Sequence, residues 1–372
     1  MLKDGRDIKQ SLPFRKDVEI FRWGPIPGRY FYISEVSEVF YKAYPEIYKG
    51  PRWPSGLLLF KDNKMVWIND LDELRQAGKE VFLRYMVKRS VRDRIKKQWY
   101  KAVKKLSYFE KKIGDFFLED LTDEQLLKLW KEFHRLIVNF WPHTVPAEFG
   151  NYGSDKLLEE RLEKYITDKN ELSFVMEVLT TVEKLSFYQQ EEIDLVKTKD
   201  LEKHIKKYFW LRNSYNGVEE HKADFFMKKR KQLLSKNIKK LMEERLAGVK
   251  NKKKKIIKKY KLPRDIKNIA DALCEGIVWQ DERKKHIFIY THYKELFLRE
   301  VARRFDYNID SLRNCSSLEN MQLLEKRGVH MQIESRGSMF GFYMGPITEE
   351  VLGEDAKFCW EKYADLSTFR PL

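Results

Sequence analysis

The sequence predicts a mainly α protein with a multi-helix, bundle-like architecture of long helices and two small β-hairpin additions. Three observations predict this class. Glycine (17) and proline (11) are scarce among the 372 residues, which favours long regular elements over tight turns. Apolar residues recur with the 3.6-residue period of an amphipathic helix over most of the chain. Aromatic residues make up 14% of the chain, enough apolar surface for a folded core.

The first predicted region, residues 1–70, is small and mixed α/β. A cluster of proline and glycine at 23–28 excludes a helix there. A short amphipathic helix is expected at 34–44. Apolar runs at 57–60 and 65–68 flank a polar turn, which predicts a β-hairpin.

The second predicted region, residues 71–260, is a helical domain. Residues 69–70 can cap a helix that runs, with one break, to Phe117. Thr122 is followed three residues later by Gln125, the spacing of a capping box at the start of another helix. Further helices are expected from 154 onward and at 173–193, 200–210 and 219–249, with a lysine-dominated connector at 250–260.

The third predicted region, residues 261–372, combines one long helix with a C-terminal hairpin and helix that pack on the helical domain. Pro263 is well placed to start the long helix, expected at 264–306 unless Gly276 breaks it. At ~1.5 Å per residue this helix is roughly 65 Å long. A short helix is expected at 318–326, a second hairpin from strands at 329–333 and 339–343, and a last helix at 348–363.

The positive charge of the chain is concentrated in one segment. The formal net charge is +16, and residues 228–259 contain fifteen lysines and arginines against two acidic residues. No apolar run approaches the roughly 20 residues of a membrane-spanning helix, and no secretory signal is recognisable. The cysteines are three and widely spaced, which is typical of unpaired thiols in the cytoplasm: Cys274, Cys315 and Cys359.

Motifs for common cofactors are not recognisable. The sequence contains no GxxxxGK[ST] loop and no GxGxxG after a predicted strand, so a nucleotide held by such a loop is not expected. His286 and His292 are six positions apart and would lie on different faces of a helix, so they do not form a metal pair. The sequence therefore predicts no metal site and no cofactor bound by a recognisable motif.

The core-facing stripe of the long helix is interrupted by polar residues. Gln280, Asp281 and Lys284 fall where apolar residues should continue. A polar group inside a core costs about 1–3 kcal/mol unless it is paired. These residues therefore either form an ion pair between helices or line a polar pocket, and the sequence leaves both interpretations open.

A second notable segment, residues 208–217, is rich in aromatic side chains and carries an arginine and two asparagines. Guanidinium and amide donors beside aromatic rings can hold an anionic or planar ligand. The same residues could instead form a packed corner between two helices, in which polar side chains bind backbone carbonyls left free at a helix end. The packed corner is the simpler interpretation of this segment taken alone.

At this segment the chain resembles a known family. Residues 204–215, HIKKYFWLRNSY, look like the H-x-x-K-Y-x-W-I/L-x-N-x-Y stretch of phosphoenolpyruvate-utilising enzyme-like proteins. These are relatives of phosphoenolpyruvate synthase, pyruvate phosphate dikinase and the rifampicin phosphotransferases. Residues 280–284 and 298–304 are similar to the family's R-x-x-R-K … E-I/V-A-x-R helix, and the predicted hairpin at 329–343 is also similar. The resemblance covers about residues 100–363.

The resemblance implies a central helical module without the catalytic parts of the family. Such enzymes use an ATP-grasp domain and a swivelling domain with a Gly-Gly-x-x-Ser-His-like phosphohistidine motif, and neither is recognisable in this sequence. The module would then be catalytically incomplete and not an autonomous enzyme. A separate ATP-binding or phosphohistidine chain or domain would be its partner in phosphotransfer.

The leading functional hypothesis is a substrate- or partner-binding module of this kind, for a small phosphorylated or planar ligand. Its predicted site combines the aromatic segment with the polar interruption of the long helix: Trp210, Arg212, Asn213, Tyr215, Asp281, Arg283 and Lys284.

The alternative hypothesis is a basic helical protein that binds nucleic acid through residues 228–259. Its predicted contacts are the cations Lys228, Lys229, Arg230, Lys252, Lys253, Lys254 and Lys255. Such a cluster could neutralise several phosphates. The lysines could equally be the solvated side of an ordinary amphipathic helix, since the segment has no interleaved aromatic residues.

Overall fold

The computed structural model describes residues 19–326 and 328–364. Helices dominate this part of the chain, and the mainly α fold class is confirmed. Across these residues, none of the helices combines the length and the apolar character needed to cross a lipid bilayer.

The part of the chain that the structure describes begins with strand β1, Ile20–Pro27. Most of the proline–glycine cluster, for which a helix was excluded, lies in this strand. The expected helix at 34–44 is divided into short pieces: α1 (Tyr30–Ile33), α2 (Val36–Glu38), a π-helical turn (Val39–Ala43) and α3 (Tyr44–Ile47). The first predicted hairpin is confirmed as β2 (Gly56–Lys61) and β3 (Lys64–Asp70).

The strands form one antiparallel sheet in the order β1-β3-β2-β4-β5, where β4 is Met339–Met344 and β5 is Glu349–Val351. In the centre of the sheet, Leu58 of β2 lies opposite Trp67 of β3 on one side and Phe342 of β4 on the other. Both faces of the sheet are buried. Alternate residues of β2 and β3 face the large helical core, and the others pack against the C-terminal helix. The N-terminal and C-terminal strands therefore share one sheet.

The prediction of a strand at 329–333 was wrong. These residues begin helix α17, His330–Arg336, and β4 pairs with β5 instead. The alternating apolar residues suggested a strand, but Met331 is 80% exposed, so the alternation does not mark a buried face. At the end of α17, Arg336 enters the core and pairs with Glu319 and Glu350, a long-range contact that no local pattern contains.

Two predicted helix starts are confirmed in detail. The Asp70 side chain accepts hydrogen bonds from the backbone of Asp72 and Glu73, and Thr122 and Gln125 form the reciprocal capping box.

The helices before the long one are α4 (Leu71–Tyr85), α5 (Arg89–Gly114), α6 (Asp123–Phe140), α7 (Val145–Phe149), α8 (Ser154–Leu162), α9 (Lys169–Thr180), α10 (Phe187–Lys197), α11 (Leu201–Tyr208), α12 (Ala223–Leu234) and α13 (Ile238–Lys259).

Three predicted boundaries were wrong. The single helix at 173–193 is two, because Ser186 forms a capping box that starts α10. The helix at 219–249 is broken at Asn237, which has left-handed backbone angles that asparagine tolerates. The lysine-dominated connector at 250–260 is mostly the second half of α13. Lysine is a good helix former, and the buried Ile256 packs the second half of α13 against the core.

The long helix α14, Arg264–Phe305, has 42 residues and passes through Gly276 without a break, as expected if glycine did not interrupt it. It packs against α5, α7, α8 and α9 and is the element around which the other helices are arranged. The chain continues with α15 (Ile309–Leu312), α16 (Ser317–Leu324), α17, the last two strands and α18 (Gly353–Cys359). The expected last helix at 348–363 therefore starts later, because 349–351 belong to β5.

Candidate functional site: an aromatic cavity beside the long helix

A cavity of about 550 Å³ is lined by side chains of the sheet, of the N-terminal helical turns and of α14. This volume lies within the usual range for small-molecule sites. The lining residues are Phe21, Trp23, Ile33, Val36, Phe40, Trp53, Trp67, Trp141, Glu148, Asn151, Tyr152, Tyr215, Ile277, Gln280, Asp281, Arg283 and Lys284.

One side of the cavity is aromatic. Trp53 lies 4.5 Å from Phe40 between ring centroids and meets Tyr152 edge-on at 5.7 Å. Trp23 lies opposite Trp67 in the register of β1 and β3, so the sheet brings both indoles to the same place. Rings arranged in this way offer flat apolar surface and edges for stacking with a planar molecule.

The aromatic wall also contains hydrogen-bond donors. The indole N–H groups of Trp53 and Trp67 are buried, and neither has an acceptor among the described residues. A buried donor without an acceptor costs about 1–3 kcal/mol. A bound molecule that supplied an acceptor to either indole would therefore gain free energy.

The opposite side is the polar interruption of α14. Gln280 donates from Nε2 to the carbonyl of Ala147 at 2.6 Å and to Oδ1 of Asn151 at 3.0 Å. Asp281 accepts at Oδ2 from the backbone N–H of Phe187 at 2.9 Å. The polar residues are thus tied to neighbouring segments and also line the cavity.

Arg283 forms an ion pair with Glu148, and its guanidinium lies 4.9 Å from the ring centroid of Trp141. Burial alone would lower the pKa of Arg283, but the Glu148 carboxylate outweighs burial and raises the pKa above its ordinary value. Of the two interpretations of Gln280, Asp281 and Lys284, the structure therefore favours the pocket that they line, and the ion pair with the neighbouring helix is made by Arg283.

The cations that line the cavity differ in whether an acidic side chain pairs with them. Arg283 is neutralised by Glu148, whereas Lys284 is exposed and has no ion pair with any residue in 19–326 or 328–364. Burial raises the pKa of the nearby Asp281 carboxyl above its usual value and outweighs the charge of Lys284, which lowers that pKa. Lys284 is therefore the cation available to an anionic group that enters the cavity.

The structure brings together four of the seven residues predicted for the site. Tyr215, Asp281, Arg283 and Lys284 line the cavity. Burial raises the pKa of the Tyr215 hydroxyl to about 12, so this residue enters the cavity wall as a neutral phenol. The aromatic segment and the long helix thus meet, as their combination into one site required.

The other three predicted residues lie outside the cavity lining. Trp210 is buried and donates from Nε1 to the carbonyl of Lys207 at 3.0 Å. Asn213 donates to the carbonyl of Phe288 at 2.9 Å, which fixes the turn after α11 to the long helix. Arg212 is exposed and pairs with Glu219. Most of the aromatic segment is thus a packed corner.

Sequence reasoning missed most of the aromatic wall and part of the polar wall. The missed residues are Trp23, Trp53, Trp67, Trp141, Tyr152, Glu148 and Asn151. The clustering of tryptophans in the first 70 residues was visible, but their meeting with α14 depends on how the sheet docks on the helices.

The lysines of the alternative hypothesis are only partly free. Lys229 pairs with Glu191, and Lys253 is buried and pairs with Glu183. The three neighbours of Lys253 on α13 are exposed, and within the described part of the chain they form no ion pair: Lys252, Lys254 and Lys255. Lys228 is exposed and Arg230 is half-buried on α12.

A metal centre is not formed by the residues that the structure describes, since no group of three or more histidine, cysteine, aspartate or glutamate side chains could hold an ion. All three cysteines are free thiols.

No protein-family model matches the chain, and no curated protein matches it either. The resemblance to phosphoenolpyruvate-utilising enzyme-like proteins therefore stays a prediction.

Proposed function

We propose that this chain is a binding module whose site is the aromatic cavity and whose ligand is a small planar compound with an anionic group. The observation that carries the proposal is the meeting of two unlike walls in one cavity. Aromatic rings from the sheet and a polar row on α14 line the same cavity, and the row ends in Lys284, which has no ion pair among the described residues.

The planar part of the ligand is supported by the aromatic wall. Trp53, Phe40 and Tyr152 surround the space with faces and edges of rings. Beside them, Asn151 and Gln280 carry amide groups that can donate and accept hydrogen bonds. Such a set suits a heteroaromatic ring with donors and acceptors on its edge.

The anionic part of the ligand is supported by charge. Among the cations of the cavity, Arg283 already has Glu148 as its partner. Lys284 would be the cation that a phosphate or carboxylate approaches. An ammonium binds such a group as a point charge and needs no fixed geometry.

The family resemblance adds a partner to the proposal. As the central module of a phosphoenolpyruvate-utilising phosphotransferase, the chain would bind a phosphorylated substrate or product and would depend on a separate ATP-binding or phosphohistidine chain for catalysis. A cytoplasmic location is part of the proposal and is supported by the three free thiols.

A screen of small anions tests the proposal. The chain would be mixed with adenosine monophosphate, phosphoenolpyruvate and pyrophosphate, and both thermal stability and tryptophan fluorescence would be followed. A compound at about 100 times its dissociation constant adds ~2.7 kcal/mol to stability. We expect the aromatic nucleotide to stabilise more than pyrophosphate, which has no flat face. No shift with adenosine monophosphate would contradict the proposal.

The competing prediction, nucleic-acid binding through α13, rests on the exposed lysines Lys252, Lys254 and Lys255, which have no ion pair among the described residues, but no aromatic residue lies between them for bases to stack on. Binding of this kind weakens steeply as salt rises. A salt-resistant affinity, or one unchanged after substitution of these three lysines by glutamine, would contradict it.

A further inference from the structure

A second basic surface lies on α5. The distribution of net charge along the sequence did not reveal it. Six exposed residues of this helix each lie three or four positions from at least one other of the six, which places them on one face. We call this face the α5 stripe: Lys97, Lys101, Lys104, Lys105, Tyr108 and Lys111. The opposite face of α5 carries the buried Ile95, Trp99, Leu106 and Ile113.

Acidic side chains of the described residues do not neutralise the cations of the α5 stripe. From Arg94 to Phe109 the sequence contains no aspartate or glutamate. The nearest acids of the helix are Asp93, which pairs with Arg89, and Glu110, which is buried on the other face. Within residues 19–326 and 328–364, none of the five lysines of the stripe forms an ion pair. Their positive charges therefore act together on whatever approaches this face.

Exposed aromatic rings accompany these cations. Tyr108 within the stripe and Phe117 just beyond the end of α5 are each 73% exposed. Lys112 lies 5.9 Å from the ring centroid of Phe116, which continues the alternation of cations and rings. On α13, by contrast, the exposed lysines have no aromatic residue among them except Tyr260 just after its end.

From this combination we infer that the α5 stripe binds single-stranded nucleic acid. Lysines neutralise the phosphates, and bases stack on Tyr108 and Phe117, as in proteins that bind single strands without sequence preference. The stripe from Lys97 to Lys111 is about 21 Å long at ~1.5 Å per residue. That length is enough for a few extended nucleotides.

The same features disfavour two other occupants. A duplex hides the faces of its bases, so the exposed rings would have nothing to stack on. An amphipathic helix that enters a membrane surface needs its apolar face free. The apolar face of α5 is packed in the core, with Trp99 and Leu106 almost completely buried. The proposal does not depend on the cavity.

The test uses the full chain and a labelled oligouridylate, with binding followed by fluorescence anisotropy at several salt concentrations. The first variant combines Lys101→Gln, Lys104→Gln and Lys105→Gln, and the second is Tyr108→Ala. The matched control combines Lys252→Gln, Lys254→Gln and Lys255→Gln on α13. All these positions are exposed, and unchanged thermal unfolding of each variant shows that it is folded.

We expect the α5 triple variant to reduce the slope of log affinity against log salt by about 2, since each phosphate contact on a single strand contributes about 0.7. Tyr108→Ala should weaken binding at least about fivefold, the lower limit for loss of one stacked base. The α13 control should change affinity less than about twofold. Equal effects of the two triple variants would overturn the inference. Unchanged binding by Tyr108→Ala, equally tight binding of a duplex, or binding only to anionic lipid vesicles would also overturn it.

Discussion

The carboxylate of Asp281 accepts a hydrogen bond from the backbone N–H of Phe187, with 2.9 Å between Oδ2 and N. This bond connects the middle of the long helix α14 to the first residue of α10. Asp281 also lines the aromatic cavity. One side chain therefore contributes both to the packing of two helices and to the chemistry of the candidate site, and the two contributions can be separated by substitution.

The first prediction tests what Asp281 contributes to the packing of the two helices. Asp281→Asn keeps an oxygen that can accept from Phe187, so we expect it to change the free energy of unfolding by less than about 1 kcal/mol. Asp281→Leu leaves that N–H without an acceptor and should cost about 1–3 kcal/mol. Urea denaturation measures both variants. Equal destabilisation by the two variants would show that the hydrogen bond is not what Asp281 contributes.

The second prediction concerns the cation of the cavity. Lys284→Gln should weaken the binding of adenosine monophosphate about tenfold, or ~1.4 kcal/mol, because it removes a positive charge that has no ion pair within the described part of the chain. Its stability should stay within about 0.5 kcal/mol of wild type, as for other surface substitutions. Arg212→Gln is the matched control, since Arg212 is exposed, pairs with Glu219 and does not line the cavity. If the control weakens binding as much, the anion is held elsewhere.

The third prediction concerns Glu110, which is buried on the inner face of α5 with one carboxylate oxygen unpaired among the described residues. Burial raises its pKa from 4.5 to about 8. A group whose pKa is raised in the folded state stabilises fully below its unfolded pKa and loses that contribution as the pH rises through its folded pKa. Stability should therefore fall between about pH 4.5 and pH 8, by up to roughly 5 kcal/mol.

The variant Glu110→Gln should remove this fall, because an amide has no charge to bury. Urea denaturation of wild type and variant at acidic and alkaline pH measures the difference. The exposed Glu124→Gln on α6 serves as the control and should keep the wild-type pH dependence. A parallel pH dependence of wild type and Glu110→Gln would contradict the prediction.

The fourth prediction concerns the buried pair of Lys294 and Glu35. The ammonium lies 2.6 and 2.8 Å from the two carboxylate oxygens, and Ser317 donates to the same carboxylate. Lys294→Met should cost about 3–5 kcal/mol because it removes the nearest cation of a buried carboxylate, whose other ion-pair partner, His134, lies farther away at 3.7 Å. Adding Glu35→Gln should recover part of that loss, which a double-mutant cycle by denaturation measures. Purely additive losses would mean that the two side chains do not interact energetically.

Local rules predicted the elements whose ends are fixed locally. The capping box of Thr122 and Gln125 and the start of α14 after Pro263 depend on neighbours in sequence, and both are confirmed. The strand expected at 329–333 was wrong, and the contacts of Arg336 with Glu319 and Glu350 at the end of α17 join residues that only the folded chain brings near. The polar interruption of the apolar stripe of α14 was visible in the sequence, because polar residues stand at core-facing positions of a helical period.

The candidate site likewise contains residues that local rules identified and residues that they could not identify. Asp281 and Lys284 were found because they interrupt a helical period. Trp23, Trp53 and Trp67 could not be assigned to the site, because their position depends on the register of β1 with β3 and on the docking of the sheet. Arg212 and Asn213 stand in a segment of suitable chemistry, but their side chains bind to the protein itself.

The central claim is that the aromatic cavity binds a planar anion, and calorimetric titration of adenosine monophosphate into a blocked variant tests it most directly. Ile277 lines the cavity and is 44% exposed, so Ile277→Trp should fill the space without disturbing the core. Leu241→Trp, on the exposed side of α13, is the control. The account predicts binding to wild type and to the control, and at least about a tenfold loss for Ile277→Trp. Equal binding by all three proteins, or no binding to wild type, would contradict it.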